Sequence, residues 1–238
     1  MLIRVQELSK SFRKLEVLKN VSVSFEANQC VAIIGPNGSG KTTFIKSVLG
    51  MVIPDSGEII VSDKNIKNNF HYREAIGYMP QIGRYPENTT MGQLFSMIKD
   101  IRKHNGVSLD EELIESFHLP ALYNKRMRTL SGGTRQKVSA ALSFLFNPEI
   151  LILDEPTAGL DPLSAEILKD KIQQERKKNK LILITSHIMN DLDELSSHVM
   201  YMLEGNLMFF KTMEELKAET GEERLGKAMA KLMKQQTN

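Results

Sequence analysis

The stretch that most restricts the fold is a glycine-rich loop directly after an apolar run. Residues 30–35 read CVAIIG, and residues 35–43 read GPNGSGKTT, which matches the pattern G-x-x-x-x-G-K-[ST]. A run that is apolar throughout is typical of a strand buried on both faces of a parallel sheet. The segment after the loop, TTFIKSVLG, has helical character. The order strand, loop, helix therefore predicts a layered α/β fold built around an anion-binding turn.

Further stretches extend this pattern to a complete core. The runs EILILDE (149–155) and KLILITSH (180–187) are again apolar, and segments of helical character separate them. Near the start, IRVQEL and VSVSFEA alternate between apolar and polar residues, which predicts antiparallel strands with one solvated face at an edge. We expect a single domain over residues 1–238, in which an α/β core with its β edge spans 1–85 and 148–208.

Residues 86–147 look helical and separate from this core. Thr90 and Gln93 have the spacing of a capping box, and Ser108 with Glu111 repeats that spacing before a second apolar segment. The residues expected on the buried face of the first of these helices are Met91, Leu94, Phe95, Ile98 and Ile101. We predict that 86–147 is a helical lobe inserted into the core. The final residues, 209–238, are predicted as a helical extension.

Composition excludes several classes of protein. The single cysteine, Cys30, lies within an apolar run, so no internal disulfide can form and a buried, inert thiol is expected, as in a reducing cytosol. No run approaches the roughly 18 consecutive apolar residues of a membrane span, and the first ten residues lack the apolar core of a secretion signal. The formal net charge of +2 identifies no partner. We expect a cytoplasmic chain that does not itself cross a membrane.

The loop after the first buried strand has the chemistry of a phosphate site. Glycines allow its backbone to approach phosphate oxygens, and the helix that follows presents unpaired N–H groups. Lys41 is placed to neutralise the β- and γ-phosphates, Thr42 to offer its hydroxyl to Mg²⁺, and Thr43 to donate to the α-phosphate. A purely structural turn would not explain Lys41 or the preceding strand. The predicted phosphate-binding residues are Gly35, Pro36, Asn37, Gly38, Ser39, Gly40, Lys41, Thr42 and Thr43.

Polar residues at other strand ends supply the remaining chemistry. Asp154 is predicted to hold Mg²⁺, and the adjacent Glu155 to orient or deprotonate the attacking water, although an Asp-Glu pair after a strand can also be a helix N-cap. His187 follows the third buried strand, where a γ-phosphate contact is expected. Gln81, in GYMPQ, can ligate Mg²⁺ and touch the water, but spacing alone supports this weakly.

The stretch LSGGTRQK, residues 130–137, places two glycines at a predicted helix start. Such a start is a second potential anion site, separate from the glycine-rich loop. The apolar residues of the predicted helix are Val138, Ala141, Leu142, Leu145 and Phe146, and the helix is expected to end at Asn147 and Pro148.

Taken together, the motifs resemble those of the nucleotide-binding subunit of an ATP-binding cassette (ABC) transporter. The resemblance spans about residues 3–216 and rests on GPNGSGKTT, GYMPQ, LSGGTRQK, LILDEPTAGLD and ITSH, in the order that the family shows. It implies a P-loop NTPase (RecA-like) core with an antiparallel β edge subdomain and an inserted α-helical signature subdomain. It also implies ATPase activity with ATP and Mg²⁺ as cofactors, in which Lys41, Gln81, Glu155 and His187 are the catalytic residues and Thr42, Gln81 and Asp154 hold the metal.

The resemblance also implies a shared site, because the family's subunits pair head to tail. The LSGG helix of one subunit closes over the ATP of the other, so that Ser131, Gly132 and Gly133 would contact the partner's γ-phosphate. Phe12 would be the aromatic residue that stacks on adenine, where tyrosine is commoner in the family; a core phenylalanine at a strand end is the alternative. Asp161, in the sequence AGLD, would lie in the loop that links the two sites.

Partners follow from the same resemblance. Since every catalytic position is present, a homodimer is expected, and a heterodimer remains open. In the family a separate polytopic membrane subunit docks near the Gln81 loop, here at residues 82–95, which would place this chain on the cytoplasmic face of the inner membrane. A soluble ABC ATPase acting on DNA or ribosomes is the competing class, but it usually has long coiled coils or two cassettes. We therefore expect no nucleic-acid partner.

The cargo is indicated only by details of the sequence. Residues 77–90 (GYMPQIGRYPENTT) and 222–233 (EERLGKAMAKLM) look most like the cassette that serves nitrous oxide reductase maturation, where the transporter assists copper-site assembly. Multidrug and other export cassettes belong to the same branch of the family. The sequence therefore predicts an ATPase subunit of a transporter more firmly than it predicts the transported cargo.

Overall fold

The computed structural model describes residues 1–102 and 108–236. Residues 103–107, in the predicted lobe, and 237–238, in the predicted extension, lie outside the described residues. The strands are β1 (Ile3–Phe12), β2 (Leu15–Phe25), β3 (Cys30–Ile34), β4 (Ser56–Val61), β5 (Lys64–Asn65), β6 (Ile76–Met79), β7 (Ile150–Asp154), β8 (Leu181–Thr185), β9 (His198–Leu203) and β10 (Asn206–Thr212). The helices are α1 (Lys41–Val48), α2 (Met91–Ile101), α3 (Glu112–Ser116), α4 (Gly132–Phe144), α5 (Pro162–Arg176), α6 (Met189–Leu195), α7 (Met213–Thr220) and α8 (Leu225–Gln236). Short 3-10 turns cover His71–Ala75, Leu119–Leu122 and Met127–Thr129.

Six strands form a mainly parallel sheet in the order β10-β9-β3-β8-β7-β6. Only β10 runs antiparallel to its neighbour, β9. Along β3, Cys30 and Ala32 face one apolar core, whereas Val31 and Ile33 face the other. Because both faces are covered, every position of this strand is apolar. The α/β prediction is confirmed.

The two faces of the main sheet carry different layers. One face packs on α1 and on a four-stranded antiparallel sheet of order β2-β1-β4-β5. The other face packs on the apolar sides of α2 to α8. The predicted antiparallel strands therefore form a sheet of their own rather than an edge of the main one. The two sheets meet where β2 approaches β10, and Lys19 N donates to Gly205 O at 2.9 Å.

The predicted lobe contains α2, α3 and α4, and its helix boundaries differ in part from the prediction. The capping box of Thr90 and Gln93 is confirmed at the start of α2. The second box is wrong, because α3 begins only after Glu111 and has no side-chain cap from Ser108; instead Asp110 Oδ1 accepts from Glu112 N. Asp110 is itself fixed through its own N–H, which donates to Leu145 O.

One burial prediction and two further boundaries also differ. Ile101 is exposed, because the last turn of α2 extends past the apolar core in which Ile98 is half-buried. Helix α4 ends at Phe144, ahead of the predicted stop. The helical part of the C-terminal extension begins at Met213 rather than at residue 209, because 209–212 pair with β9 and complete β10.

The part of the chain that the structure describes contains no helix that is both long enough and apolar enough to span a bilayer.

Candidate active site

The carboxyl ends of three neighbouring strands, β3, β8 and β7, meet at one edge of the main sheet. The glycine-rich loop follows β3, while Thr185 ends β8 and Asp154 ends β7. This edge borders a cleft of about 220 Å³. The residues lining the cleft are Val17, Asn37, Gly38, Ser39, Gly40, Lys41, Thr42, Thr43, Gln81, Asp154, Glu155, Thr185 and His187. The topology therefore brings together most residues that the sequence predicted for phosphate, metal and water.

The glycine-rich loop has the shape of an anion cradle. Gly40 precedes α1 with a φ of 102°, and a Cβ atom at this position would lie 2.7 Å from Val17 O. No side chain caps the first turn of α1, so its N–H groups are available to a ligand. Ser39 Oγ is buried and has no hydrogen-bond partner among the described residues. These features fit a bound polyphosphate.

Lys41 lies across the loop. Its Nζ donates to Gly35 O at 2.7 Å and to Pro36 O at 3.1 Å, so these two residues contribute carbonyls although they do not line the cleft. Burial lowers the pKa of Lys41, while the negative charges of Glu155 and Asp154 oppose that shift. The ammonium group is thus a partly buried cation in the field of two carboxylates, where a phosphate oxygen could replace the loop carbonyls.

The two carboxylates are both buried and differently held. Thr185 Oγ1 donates to Asp154 Oδ1 at 2.5 Å. Glu155 adopts a φ of 53°, and its N–H donates to Thr185 O at 3.1 Å. His187 lies against Glu155 twice, with Nε2 3.4 Å from Oε1 and the main-chain N donating to Oε2 at 3.3 Å. Glu155 and His187 therefore form one unit at the mouth of the cleft.

The donor set in this cleft fits Mg²⁺. Thr42, Gln81 and Asp154 all line it and offer oxygen atoms, which Mg²⁺ prefers. The described residues contain no group of three or more His, Cys, Asp or Glu side chains arranged to hold a metal ion by themselves. That is expected for Mg²⁺ bound to a nucleotide, since one or two carboxylates, phosphates and water complete its shell.

The residues of LSGG, 130–133, lie outside this cleft. Ser131 is the N-cap of α4, and its Oγ accepts from Thr134 N at 3.2 Å. Ser131 and Gly132 are exposed, Gly133 is half-buried, and none of the three lines the cleft. A Cβ atom on Gly133 would lie 2.8 Å from Gly159 O, so glycine is required for the close contact between α4 and the AGLD loop. The predicted second anion site therefore lies at the start of α4, outside the cleft.

The start of α4 also holds the loop that carries the carboxylates. Gln136 Nε2 donates to Glu155 O at 3.2 Å, and Lys137 Nζ lies 2.8 Å from Asp161 Oδ2. Asp161 caps α5 by accepting from Ser164 N, and these bonds, with that of Lys137 foremost, hold its pKa well below the usual range. Asp161 does not line the cleft. In this chain its carboxylate joins α4 to α5 rather than facing a phosphate.

Phe12 lies outside the cleft lining as well. Its ring is exposed at the end of β1, with Lys10 Nζ 5.5 Å from the ring centroid. An exposed ring is free to stack on a base, so the adenine contact stays a prediction, whereas the alternative of a core phenylalanine is wrong.

Three residues that contact this region were not predicted from the sequence as part of the site. Thr185, Gln136 and Lys137 all bond to the segment 154–161. A sequence signal existed for Thr185, which is the only polar residue in the run LILIT. No comparable signal marked the other two, because their partners lie 19 and 24 positions away in the chain.

Comparisons with known proteins agree with this geometry. A family model described as ABC transporter matches residues 18–158. An uncharacterized ABC transporter ATP-binding protein of Bacillus subtilis, YxlF, is 31% identical over 222 residues, covering 92% of this chain and 73% of that protein. A solved ATP-binding subunit of an ABC transporter superposes with a TM-score of 0.89 at 26% identity, covering 98% of this chain and all of the other.

A second solved structure, the dimeric ATP-binding cassette MJ0796 in a post-hydrolysis state bound to ADP and Pi, has a TM-score of 0.77 at 22% identity and covers 89% of this chain and 99% of its own. At that identity it supports the fold alone. The family model, by contrast, covers more than half of the chain. The protein belongs to the ABC transporter family, as an ATP-binding subunit.

Proposed function

We propose that this chain hydrolyses ATP as a homodimer and thereby drives a separate membrane subunit. One observation carries the proposal: the cleft holds a cation, two carboxylates and a histidine, while the exposed start of α4, which is predicted to bind an anion, lies outside it. A second copy, related by two-fold symmetry, would bring its own Ser131 to Gly133 over this cleft and receive the same in return. In such a dimer, the start of α4 would face the nucleotide bound by the partner subunit.

Within the cleft, the chain's own residues divide the work. Lys41 would exchange the carbonyls of Gly35 and Pro36 for phosphate oxygens, because a charged acceptor makes the stronger hydrogen bond. Thr42, Gln81 and Asp154 would hold Mg²⁺, which supplies positive charge for the phosphates. Glu155 would accept a proton from the attacking water, and His187 would keep the carboxylate oriented through its two contacts.

The catalytic part of the proposal is tested by Glu155→Gln. The amide keeps the size of the side chain but cannot accept the proton, so kcat should fall by about a hundredfold or more while ATP still binds. The ATP-loaded dimer should then accumulate and elute in size-exclusion chromatography at twice the 26.9 kDa of one chain. Glu149→Gln is the matched control, because Glu149 is exposed and directly precedes β7, whereas Glu155 directly follows the same strand.

The shared site is tested by adding Ser131→Arg to the Glu155→Gln chain. The arginine should prevent closure, so that the ATP-induced dimer is lost while each monomer still binds a fluorescent ATP analogue. Unchanged turnover in Glu155→Gln would remove the assigned base. Hydrolysis at the full rate by isolated monomers would refute the shared site.

The partner on the membrane side is proposed from the surface beside Gln81. Ile82 is exposed beside Gln81, and Met97 and Ile101 are exposed one turn apart on α2, so residues 82–101 carry apolar side chains that the chain itself leaves uncovered. Such a surface suits a helix of a polytopic membrane protein, and it would hold the chain on the cytoplasmic face of the membrane. Co-purification with a membrane protein supports this function; ATPase activity stimulated by DNA or ribosomes would favour the soluble alternative.

The proposed cargo pathway is copper delivery for nitrous oxide reductase, supported by the similarity of residues 77–90 and 222–233 to that cassette. The second of these segments includes most of α8, whose Leu225, Ala228 and Met229 pack into the core. The copper content of nitrous oxide reductase from cells lacking this chain tests the assignment. Full copper loading in such cells would exclude it.

A further inference from the structure

We propose that Thr185 is a positioning residue for ATP hydrolysis, because its buried hydroxyl fixes both the side chain of Asp154 and the backbone of Glu155. The inference rests on the proposed function, in which Asp154 serves the metal and Glu155 the attacking water. Thr185 borders the same cleft, but its hydroxyl bonds to Asp154 and Glu155, and it acts through them.

The register of the sheet places this hydroxyl between its two partners. Asp154 and Thr185 are paired residues at the ends of the parallel strands β7 and β8. Thr185 Oγ1 donates to Asp154 Oδ1 at 2.5 Å and accepts from Glu155 N at 3.2 Å. Since a hydroxyl has one proton to donate, the bond to Asp154 uses it fully. The hydroxyl proton therefore points to the Asp154 carboxylate, and a lone pair of the same oxygen accepts from the N–H of Glu155.

The bond to Glu155 supports an uncommon backbone conformation. A φ of 53° is sparsely populated for any residue other than glycine. Here the N–H of Glu155 is shared between Thr185 O and Thr185 Oγ1, and its carbonyl accepts from Gln136 Nε2. The carboxylate of the same residue lies 3.4 Å from His187 Nε2. Weakening the support of this conformation would move the proposed base relative to the water.

The bond to Asp154 sets the plane of that carboxylate. With Oδ1 held by Thr185, the direction of Oδ2 is fixed relative to the cleft, which predefines one position of a metal shell. Thr185 is only 2% exposed, and in a valine variant a methyl group would occupy the place of the hydroxyl, which leaves no room there for a replacement water. Valine has the shape of threonine without the hydroxyl, which makes Thr185→Val a direct test.

The expected effect follows from losing a hydrogen bond to a charged group in the active site. In Thr185→Val, kcat should fall by about tenfold to a hundredfold, while the affinity for trinitrophenyl-ATP without metal stays within about twofold. Thr185→Ser retains the hydroxyl and should recover kcat to within about threefold of the unmodified chain. Each kcat is divided by the fraction of chains that bind the analogue, so incomplete folding does not count as lost catalysis.

A second readout is independent of turnover. In the Glu155→Gln background with ATP bound, Mn²⁺ affinity is measured by electron paramagnetic resonance as a probe of the Mg²⁺ site. Thr185→Val should weaken Mn²⁺ binding several-fold, and Thr185→Ser should not. A residue that only supported the fold would leave this affinity unchanged.

Thr220→Val is the matched control, because Thr220 is also 2% exposed and its hydroxyl likewise donates one hydrogen bond and accepts one from a backbone N–H, but outside the cleft lining. Its Oγ1 donates to Leu216 O at 2.8 Å and accepts from Glu222 N at 3.4 Å. This variant should lower the melting temperature without lowering kcat or Mn²⁺ affinity.

The outcomes separate this inference from the proposed function. If Thr185→Val keeps the kcat and Mn²⁺ affinity of the unmodified chain while Glu155→Gln is inactive, the positioning role is wrong and the proposed function stands. If Glu155→Gln hydrolyses ATP at the normal rate, the proposed role of Glu155 as the base is wrong, and the inference that rests on it is overturned with it. If Thr185→Val does not fold, Thr185→Ala replaces it, and failure of Thr185→Ser to exceed Thr185→Ala in kcat overturns the inference.

Discussion

Replacing Lys171 with methionine should destabilise the protein far more than the same change two residues earlier in α5. Lys171 is 1% exposed, and its Nζ lies 2.6 Å from Asp110 Oδ2, 2.8 Å from Glu112 Oε2 and 3.1 Å from Glu175 Oε1. Asp110 and Glu112 belong to the lobe, whereas Glu175 belongs to the core. One buried ammonium group therefore joins two parts of the molecule.

The size of the effect depends on which carboxylate loses its cation. Glu175 is fully buried but keeps two other cations, Lys178 and Lys180. Asp110, with a side chain that is 15% exposed, would lose its only ion pair among the described residues. Removing one partner of a buried pair costs about 3 to 5 kcal/mol. Since Asp110 retains some solvent and methionine packs well, we expect about 3 kcal/mol of lost unfolding free energy for Lys171→Met.

Urea unfolding followed by far-ultraviolet circular dichroism measures this loss, because the chain contains no tryptophan to report by fluorescence. With a slope of about 3 kcal/mol per molar urea, the midpoint should fall by about 1 M. Lys169→Met is the control: Lys169 also has two carboxylate partners, Glu166 and Glu194, but these are 63% and 44% exposed. Exposed pairs contribute about 1 kcal/mol or less, so its midpoint should move by no more than about 0.3 M.

A double variant isolates the pair. Asp110→Asn removes the charge that Lys171→Met strands but keeps Oδ1, which accepts from Glu112 N. The combined variant should therefore be more stable than the sum of the single changes predicts, by about 1.5 to 3 kcal/mol. Equal midpoint shifts for Lys171→Met and Lys169→Met, or strict additivity with Asp110→Asn, would refute the argument that burial makes this pair strong.

Two further predictions concern titration. Burial tends to raise the pKa of Glu175, but hydrogen bonds from Lys178 and Lys180 outweigh it and lower the pKa from 4.5 to about 2. The ionised carboxylate therefore stabilises the folded protein fully above about pH 4.5, and this contribution is lost as the pH falls toward 2. The stability difference between the unmodified chain and Glu175→Gln should shrink over that interval, and a difference that stays constant would contradict the ionised state. Burial also raises the pKa of Cys30 to about 12, so iodoacetamide at about pH 8 should label it in urea but not in the native protein; equal labelling rates would show that the thiol is accessible.

The elements that could be predicted from sequence are those whose cause is local. The strand CVAII is apolar throughout because both of its faces are covered, and the capping box of Thr90 and Gln93 needs only four consecutive residues. The same spacing failed at Ser108 because Asp110 is held through Leu145 and supplies the oxygen that Glu112 N binds. A local signal was thus overruled by a contact 35 residues away.

The site divides in the same way. The glycine-rich loop, Asp154, Glu155 and His187 were predicted because each follows a recognisable strand, and strand ends converge in a parallel sheet. Gln136 could not be found, since its bond to Glu155 depends on how α4 crosses the sheet. Thr185 depends on the register of β7 against β8, which the sequence does not state. Sequence patterns locate the groups that carry charge, whereas the contacts that orient those groups require three dimensions.

The bonds from the start of α4 to the loop carrying Glu155 have a thermodynamic consequence for the proposed dimer. Gln136 and Lys137 lie within the first two turns of the helix that begins beside Ser131. In that dimer, a nucleotide that contacts this helix from the opposite subunit would bias the geometry around Glu155 in the subunit to which the helix belongs. Coupling between binding sites is reciprocal, so any effect of one cleft's occupancy on the affinity of the other would be returned by the same factor.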